Sequence, residues 1–284
     1  MQPALATVCS LEAPLETVLE DYAAGHCRAV ELWLGHVDAA HGRAGPGPLA
    51  DLLARHHLQA VAASFQGGLL TSQGEARREH WRLFADRLGL CRSLGVPVLV
   101  VAGDVFGPLG AEDLRRLGVS LAEAAARAAD AGVRLALEFD ARASFPSNLQ
   151  SAVALVEDVA SPALGLCLDW FQFTVGPSKE ADLALVTTAN LAHVQLSDVA
   201  DVPREMAADA DRILPGEGSS PPDDLVARLA AIGYRGAVSI EVLNPRLWRV
   251  PPRQFGEIAM TALRRVLGQA TMDPAPPTAA AGDP

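Results

Sequence analysis

Eight short apolar runs, each followed by a longer amphipathic stretch, narrow the fold of this chain more than any other feature. The runs are ALATVCS (4–10), AVELWL (29–34), QAVAAS (59–64), PVLVVAG (97–103), VRLALEF (133–139), LGLCLDW (164–170), NLAHVQLS (190–197) and GAVSIEV (236–242). They are rich in Val, Leu and Ala and almost continuously apolar, as strands covered on both faces are. The stretches between them, 12–25, 47–56, 74–94, 111–131, 147–158, 180–188, 221–232 and 252–267, read as helices. LGV at 94–96, AGV at 131–133 and IGY at 232–234 put a glycine where a helix stops and a strand begins. Eight such pairs predict a single-domain α/β fold, a (β/α)8 TIM barrel over residues 1–268. An open doubly wound sheet would bring a Gly-rich phosphate turn after the first strand, and SLEAP at 10–14 is nothing like one. Residues 269–284 are Pro/Ala-rich without periodicity and are expected to form a disordered tail.

Charge and cysteine usage exclude several function classes. The chain has 284 residues, 23 Lys and Arg against 34 Asp and Glu, and a net charge of −11. No basic stripe is present to neutralise phosphates, so no nucleic-acid partner is expected. There is no apolar run long enough for a membrane span, and MQPALATVCSLEAP lacks the basic start of a signal peptide. The four cysteines, Cys9, Cys27, Cys91 and Cys167, have no CxxC spacing and are expected as buried reduced thiols in a cytoplasmic protein. Lys179 is the only lysine and lies in the loop-like GPSKEAD, which leaves Schiff-base chemistry without its residue.

Active sites of such barrels form at the C-terminal ends of the strands. Those ends carry Glu138, Asp169, Gln195 and Glu241. Strand parity places Ala136, Cys167 and Ser239 below the three acids, while Leu135, Leu137, Leu166, Leu168, Val238 and Ile240 turn outward. Three inward carboxylates would repel one another and raise each other's pKa unless a divalent cation offset the charge. The carbonyl of Gln195 completes an all-oxygen set suited to Mg²⁺ or Mn²⁺ rather than Zn²⁺. His193 lies on the same face, about 6.6 Å deeper by the usual rise. It is either a ligand in place of Gln195 or a packed histidine behind the ligands. Glu31, in VELWL, shares the inward parity, and lines the pocket or makes a structural hydrogen bond.

The segments LALEFDARASFPSNL, LGLCLDWFQF, LAHVQLSD, DADRILPGEG and IGYRGAVSIEVLNPRLW, spread over residues 133–250, resemble the xylose-isomerase-like TIM-barrel superfamily. That superfamily includes inosose isomerases, ketose 3-epimerases and 3-dehydroshikimate dehydratases. The resemblance implies that Glu138 and Glu241 hold a metal and also act as acid and base on opposite sides of the substrate. It implies that Arg212 contacts substrate oxygens. Two departures stand out. Gln195 replaces a histidine found in many members, as in some bacterial dehydroshikimate dehydratases, and Gln172 replaces a histidine that helps hold or protonate substrate.

The expected activity is metal-dependent isomerisation or epimerisation of a sugar or polyol-derived ketone, by proton abstraction next to the carbonyl. A lyase of the dehydroshikimate dehydratase type uses the same constellation, and a non-catalytic sugar-binding barrel is a further alternative. A homodimer or homotetramer is the expected assembly.

Overall fold

The computed structural model describes residues 1–41 and 46–269. Eight parallel strands close into a barrel in the order β1-β10-β7-β6-β5-β4-β3-β2. These are β1 (Gln2–Ala6), β2 (Ala29–Trp33), β3 (Gln59–Gln66), β4 (Val98–Gly103), β5 (Arg134–Phe139), β6 (Leu164–Asp169), β7 (Leu191–Leu196) and β10 (Ala237–Ile240). The outer ring contains α1 (Leu15–Ala24), α3 (Gly47–Arg55), α4 (Gly74–Leu94), α5 (Ala111–Ala131), α6 (Leu149–Val159), α8 (Asp223–Ala231) and α9 (Pro252–Val266). Three further elements decorate the C-terminal face: α2 (Leu34–His41), the short α7 (Trp170–Val175), and an antiparallel ribbon of β8 (Asp198–Val199) and β9 (Arg212–Ile213).

The parity expected for the strands holds. Leu135, Leu137, Leu166, Leu168, Val238 and Ile240 are buried in the large core between barrel and helices. Val100, Ala136 and Cys167 pack together in a small cluster of their own. Bulky aliphatics outside and small side chains inside leave the interior room for polar groups above the floor. Gly95 and Gly132 end α4 and α5 with φ of 67° and 71°, a left-handed conformation that a Cβ disfavours.

Several boundaries shift from the sequence-based expectation. The first strand stops at Ala6, and Thr7–Ser10 form a 3-10 turn instead. The helix expected over 180–188 is a 3-10 helix, Glu180–Leu185. Trp170 starts α7 rather than ending the sixth strand, because the Asp169 carboxylate caps the Phe171 amide at 2.9 Å. All four cysteines are free and buried. Lys179 is exposed. Among the described residues no helix is long and apolar enough to cross a membrane. Gln269 donates to the Met1 carbonyl at 2.9 Å, and the rest of the expected tail, 270–284, lies outside the described residues.

Candidate active site

Glu138, Asp169 and Glu241 meet at the C-terminal mouth of the barrel, each offering one carboxylate oxygen within 4.8 Å of the others. Glu138 lies near the end of β5, Asp169 ends β6, and Glu241 follows β10 by one residue. Around the ring, β10 and β5 are separated by β7 and β6, so the two glutamates approach the centre from different flanks.

Arg212 is the counter-charge. The residue is 1% exposed, and its guanidinium donates to Asp169 Oδ2 at 2.6 Å and stands 3.6 Å from Glu241 Oε2. It also donates to Asp209 at 3.0 Å and lies over the Phe171 ring, 4.3 Å from its centroid. Three carboxylates against one guanidinium leave a formal charge of −2 in a buried place. Burial, and then the Asp169 charge, push Glu138 well above the ordinary carboxylate range. Burial and the Glu138 charge do the same to Glu241. Asp169 is raised by burial as well, with Arg212 pulling the other way. Hard oxygen donors with a charge of −2 fit a divalent cation, whose arrival brings the sum to zero.

Beneath this group lies a hydrogen-bonded floor. Gln195 Nε2 donates to Glu31 Oε1 at 2.7 Å and to Glu241 Oε1 at 3.0 Å, while its Oε1 accepts from the Cys167 thiol at 3.0 Å. The amide nitrogen, rather than the carbonyl expected to serve as a ligand, therefore faces the carboxylates. Turning the amide over would exchange the two. His193 Nε2 is 2.7 Å from Glu31 Oε2 and 3.2 Å from Ser239 Oγ. Burial opposes ionisation of Glu31, but the His193 ring and its hydrogen bond hold that carboxyl below its ordinary value. Both oxygens of Glu31 are thus engaged within the protein, and Glu31 and His193 sit under the site. Gln172 stands to one side, where its Oε1 accepts from the Ala141 amide at 2.9 Å and ties α7 to the loop after β5.

Asp198 escaped notice in the sequence, although it ends the HVQLSD motif. Fully buried, its carboxylate accepts from the amides of Val199 and Ser220 at 2.8 Å, Gly218 at 3.0 Å and Gly216 at 3.1 Å. This gathers the PGEG loop against the β8–β9 ribbon, whose register pairs Val199 with Arg212. Asn244 adds a bond from Nδ2 to the Arg212 carbonyl at 2.9 Å. The available signal was an acid two residues past a strand, followed by a glycine-rich segment with no phosphate-binding context.

Comparison with known proteins agrees with this architecture. The sequence profile described as xylose isomerase-like TIM barrel matches residues 22–265. The inosose isomerase of Halalkalibacterium halodurans is 32% identical over 120 residues, covering 42% of this chain and only 43% of that protein. The inosose isomerase of Bacillus velezensis is 25% identical over 224 residues, 78% of this chain and 80% of its own length. A 3-dehydroshikimate dehydratase of Pseudomonas aeruginosa is 28% identical over 265 residues, 89% of this chain but 40% of the relative. Among solved structures, an IolI protein with a bound zinc atom superposes with a TM-score of 0.88 at 22% identity, covering 95% of this chain and 99% of that one.

Proposed function

Because the chain belongs to the xylose isomerase-like TIM-barrel family, we propose that it is a divalent-metal-dependent isomerase or epimerase of an unphosphorylated sugar or polyol ketone. The convergence of Glu138, Asp169 and Glu241 within 4.8 Å beside Arg212 carries this reading. Those three carboxylates would hold Mg²⁺ or Mn²⁺, and Gln195 would join them as a neutral donor only with its amide turned over from the orientation that now donates to Glu241. The ion would supply Lewis acidity, polarising the substrate carbonyl and easing loss of a proton from the neighbouring carbon.

The chain's own residues supply the proton traffic. Glu138 and Glu241, on different flanks of the mouth, can take a proton from one carbon and return one at another position or face. Burial raises both carboxyls above the ordinary carboxylate range and so favours the protonated form each needs between taking and returning a proton. Arg212, fixed by Asp169 and Asp209, is positioned to orient substrate oxygens. An unphosphorylated substrate fits because the Gly216 and Gly218 amides of the PGEG loop are already taken by Asp198.

The test is deuterium exchange from D₂O into an inosose and a panel of ketoses, followed by NMR on Mn²⁺- or Mg²⁺-loaded protein. Exchange is expected, and Glu138→Gln or Glu241→Gln should each lower it by about 10²–10⁴-fold. Metal uptake without exchange into any ketone would overturn the proposal. A dehydratase is the second reading, favoured by Gln195 and by the match to the Pseudomonas dehydratase over 89% of this chain. Ultraviolet absorbance of protocatechuate appearing from 3-dehydroshikimate would establish it instead.

A further inference from the structure

Glu31 places a carboxyl at a depth where folding alone asks for none. One inward step below it on the same strand, Ala29 packs with Ala4 and Val61 in a small apolar cluster. Glu31 is itself fully buried, and a buried carboxyl destabilises the fold unless its oxygens are hydrogen-bonded. The sheet is adjusted at this residue. Val30 pairs with Ala60 of β3 but Glu31 pairs with Ala62, so the register slips by one where the carboxyl enters the barrel. Irregularities of this kind re-aim a side chain, and they concentrate beside active sites.

The neighbours of that carboxyl set the direction of each hydrogen bond. The Gln195 side-chain nitrogen carries two hydrogens and can only donate. It gives one to Glu31 Oε1 at 2.7 Å and the other to Glu241 Oε1 at 3.0 Å. The Gln195 oxygen can only accept, and it receives the Cys167 thiol at 3.0 Å. Turning the amide over would set its oxygen against two carboxyl oxygens at those same distances. Glu31 is also held from its other side, because His193 Nε2 lies 2.7 Å from its Oε2 and 3.2 Å from Ser239 Oγ. Glu241 in turn has Gln195 at one oxygen and Arg212 3.6 Å from the other.

From this arrangement we infer that Glu31 is a positioning residue: its carboxyl holds the nitrogen end of the Gln195 amide and, through it, sets the direction of the Glu241 carboxyl. Both oxygens of Glu31 are engaged within the protein, so it acts through Gln195 rather than on the substrate. That the Glu241 carboxyl moves protons rests on the function proposed above; that Glu31 orients it does not.

The test follows the Gln195 side-chain NH₂ by NMR in metal-free, isotope-labelled protein, together with kcat and KM for deuterium exchange into an inosose by the Mn²⁺-loaded enzyme. Gln195→Met identifies the signal by its loss. Both hydrogens should resonate downfield of a solvated amide, and one should return to the solvated position in Glu31→Met. Glu31→Met should also lower kcat about 10- to 100-fold with KM unchanged, the usual effect of losing a partner that orients a site residue. Glu31→Gln keeps an oxygen that can accept from Gln195 and should recover most of kcat. Glu31→Met combined with Gln195→Met should be no slower than Gln195→Met alone, because the two residues form one chain. Wild-type signals at the solvated position, or losses that multiply in the double variant, would each overturn the inference. The wild-type spectrum decides even where Glu31→Met does not fold. If no ketone exchanges while the Gln195 signals respond to Glu31→Met as expected, the positioning role stands and the isomerase reading falls. If the inosose exchanges and neither the signals nor kcat respond to Glu31→Met, the isomerase reading stands and the positioning role is refuted.

Discussion

Replacing Asp198 with asparagine tests how the arginine-bearing loop is held. Each carboxylate oxygen accepts two amides, Oδ1 from Val199 and Ser220 and Oδ2 from Gly216 and Gly218. In asparagine one oxygen becomes an NH₂ group, so two of the four bonds turn into donor-against-donor contacts. A hydrogen bond to a charged group contributes about 1.5–3 kcal/mol, which puts the loss at about 3–6 kcal/mol. That is a large share of the roughly 5–15 kcal/mol that holds a domain folded. The loop relieves the conflict by opening locally, against the tethers from Trp170 Nε1 to the Ser220 carbonyl at 2.8 Å and from the Ser219 amide to the Val199 carbonyl at 2.9 Å. Hydrogen exchange read by mass spectrometry should show the amides of Gly216, Gly218 and Ser220 exchanging about 100-fold faster or more, since 1.4 kcal/mol is a factor of ten. Amides of β5 and β6 should keep their protection. Deuterium exchange into a ketone should fall with the loop, because Arg212 sits on β9, which the same ribbon presents. Unchanged exchange at the three loop amides would refute the reasoning.

Two further outcomes follow from burial. A carboxyl whose folded-state pKa is raised binds its proton more tightly folded than unfolded. Its contribution to stability is complete below the ordinary value of 4.5 and is lost as pH rises through the raised value. Metal-free protein should therefore lose Tm as pH rises from 4.5 toward the raised values, and Mn²⁺ should restore more Tm at the higher pH than at the lower; a flat Tm in metal-free buffer would contradict this. Burial also pushes the Cys27 thiol up to about 11 and Cys91 up to about 12, and raises Cys9 and Cys167 as well. Native protein at about pH 8 should resist iodoacetamide at all four positions and label fully once unfolded, as counted by intact mass; rapid labelling of the native chain would show that the thiols are accessible.

The barrel was legible because its cause is local. Continuous apolar runs require cover on both faces, and the glycines that end α4 and α5 mark where each helix must release the chain. Period-two alternation in LALEF, LCLD and VSIE then places Glu138, Asp169 and Glu241 on the inner face, since a strand cannot turn one residue without turning the rest. The sites least legible in the sequence depend on partners far away along the chain. Asp198 is an ordinary loop acid until the amides of residues 216–220 fold around it. Arg212 becomes a counter-charge only because a two-residue ribbon carries it back over β6.

Sequence alone determined the eightfold architecture, the inward acids and the membership in the xylose isomerase-like TIM-barrel family. Tertiary structure alone decided that Glu31 and His193 lie beneath the site, that the Gln195 amide nitrogen faces the carboxylates, and that Gln172 ties α7 to the loop after β5. It also decided that Phe65 is twisted out toward Trp33 by a buried arginine on α4. Patterning depends on the few residues inside a strand or helix, whereas hydrogen-bond direction and backbone strain depend on which distant groups closure of the barrel brings within about 3 Å.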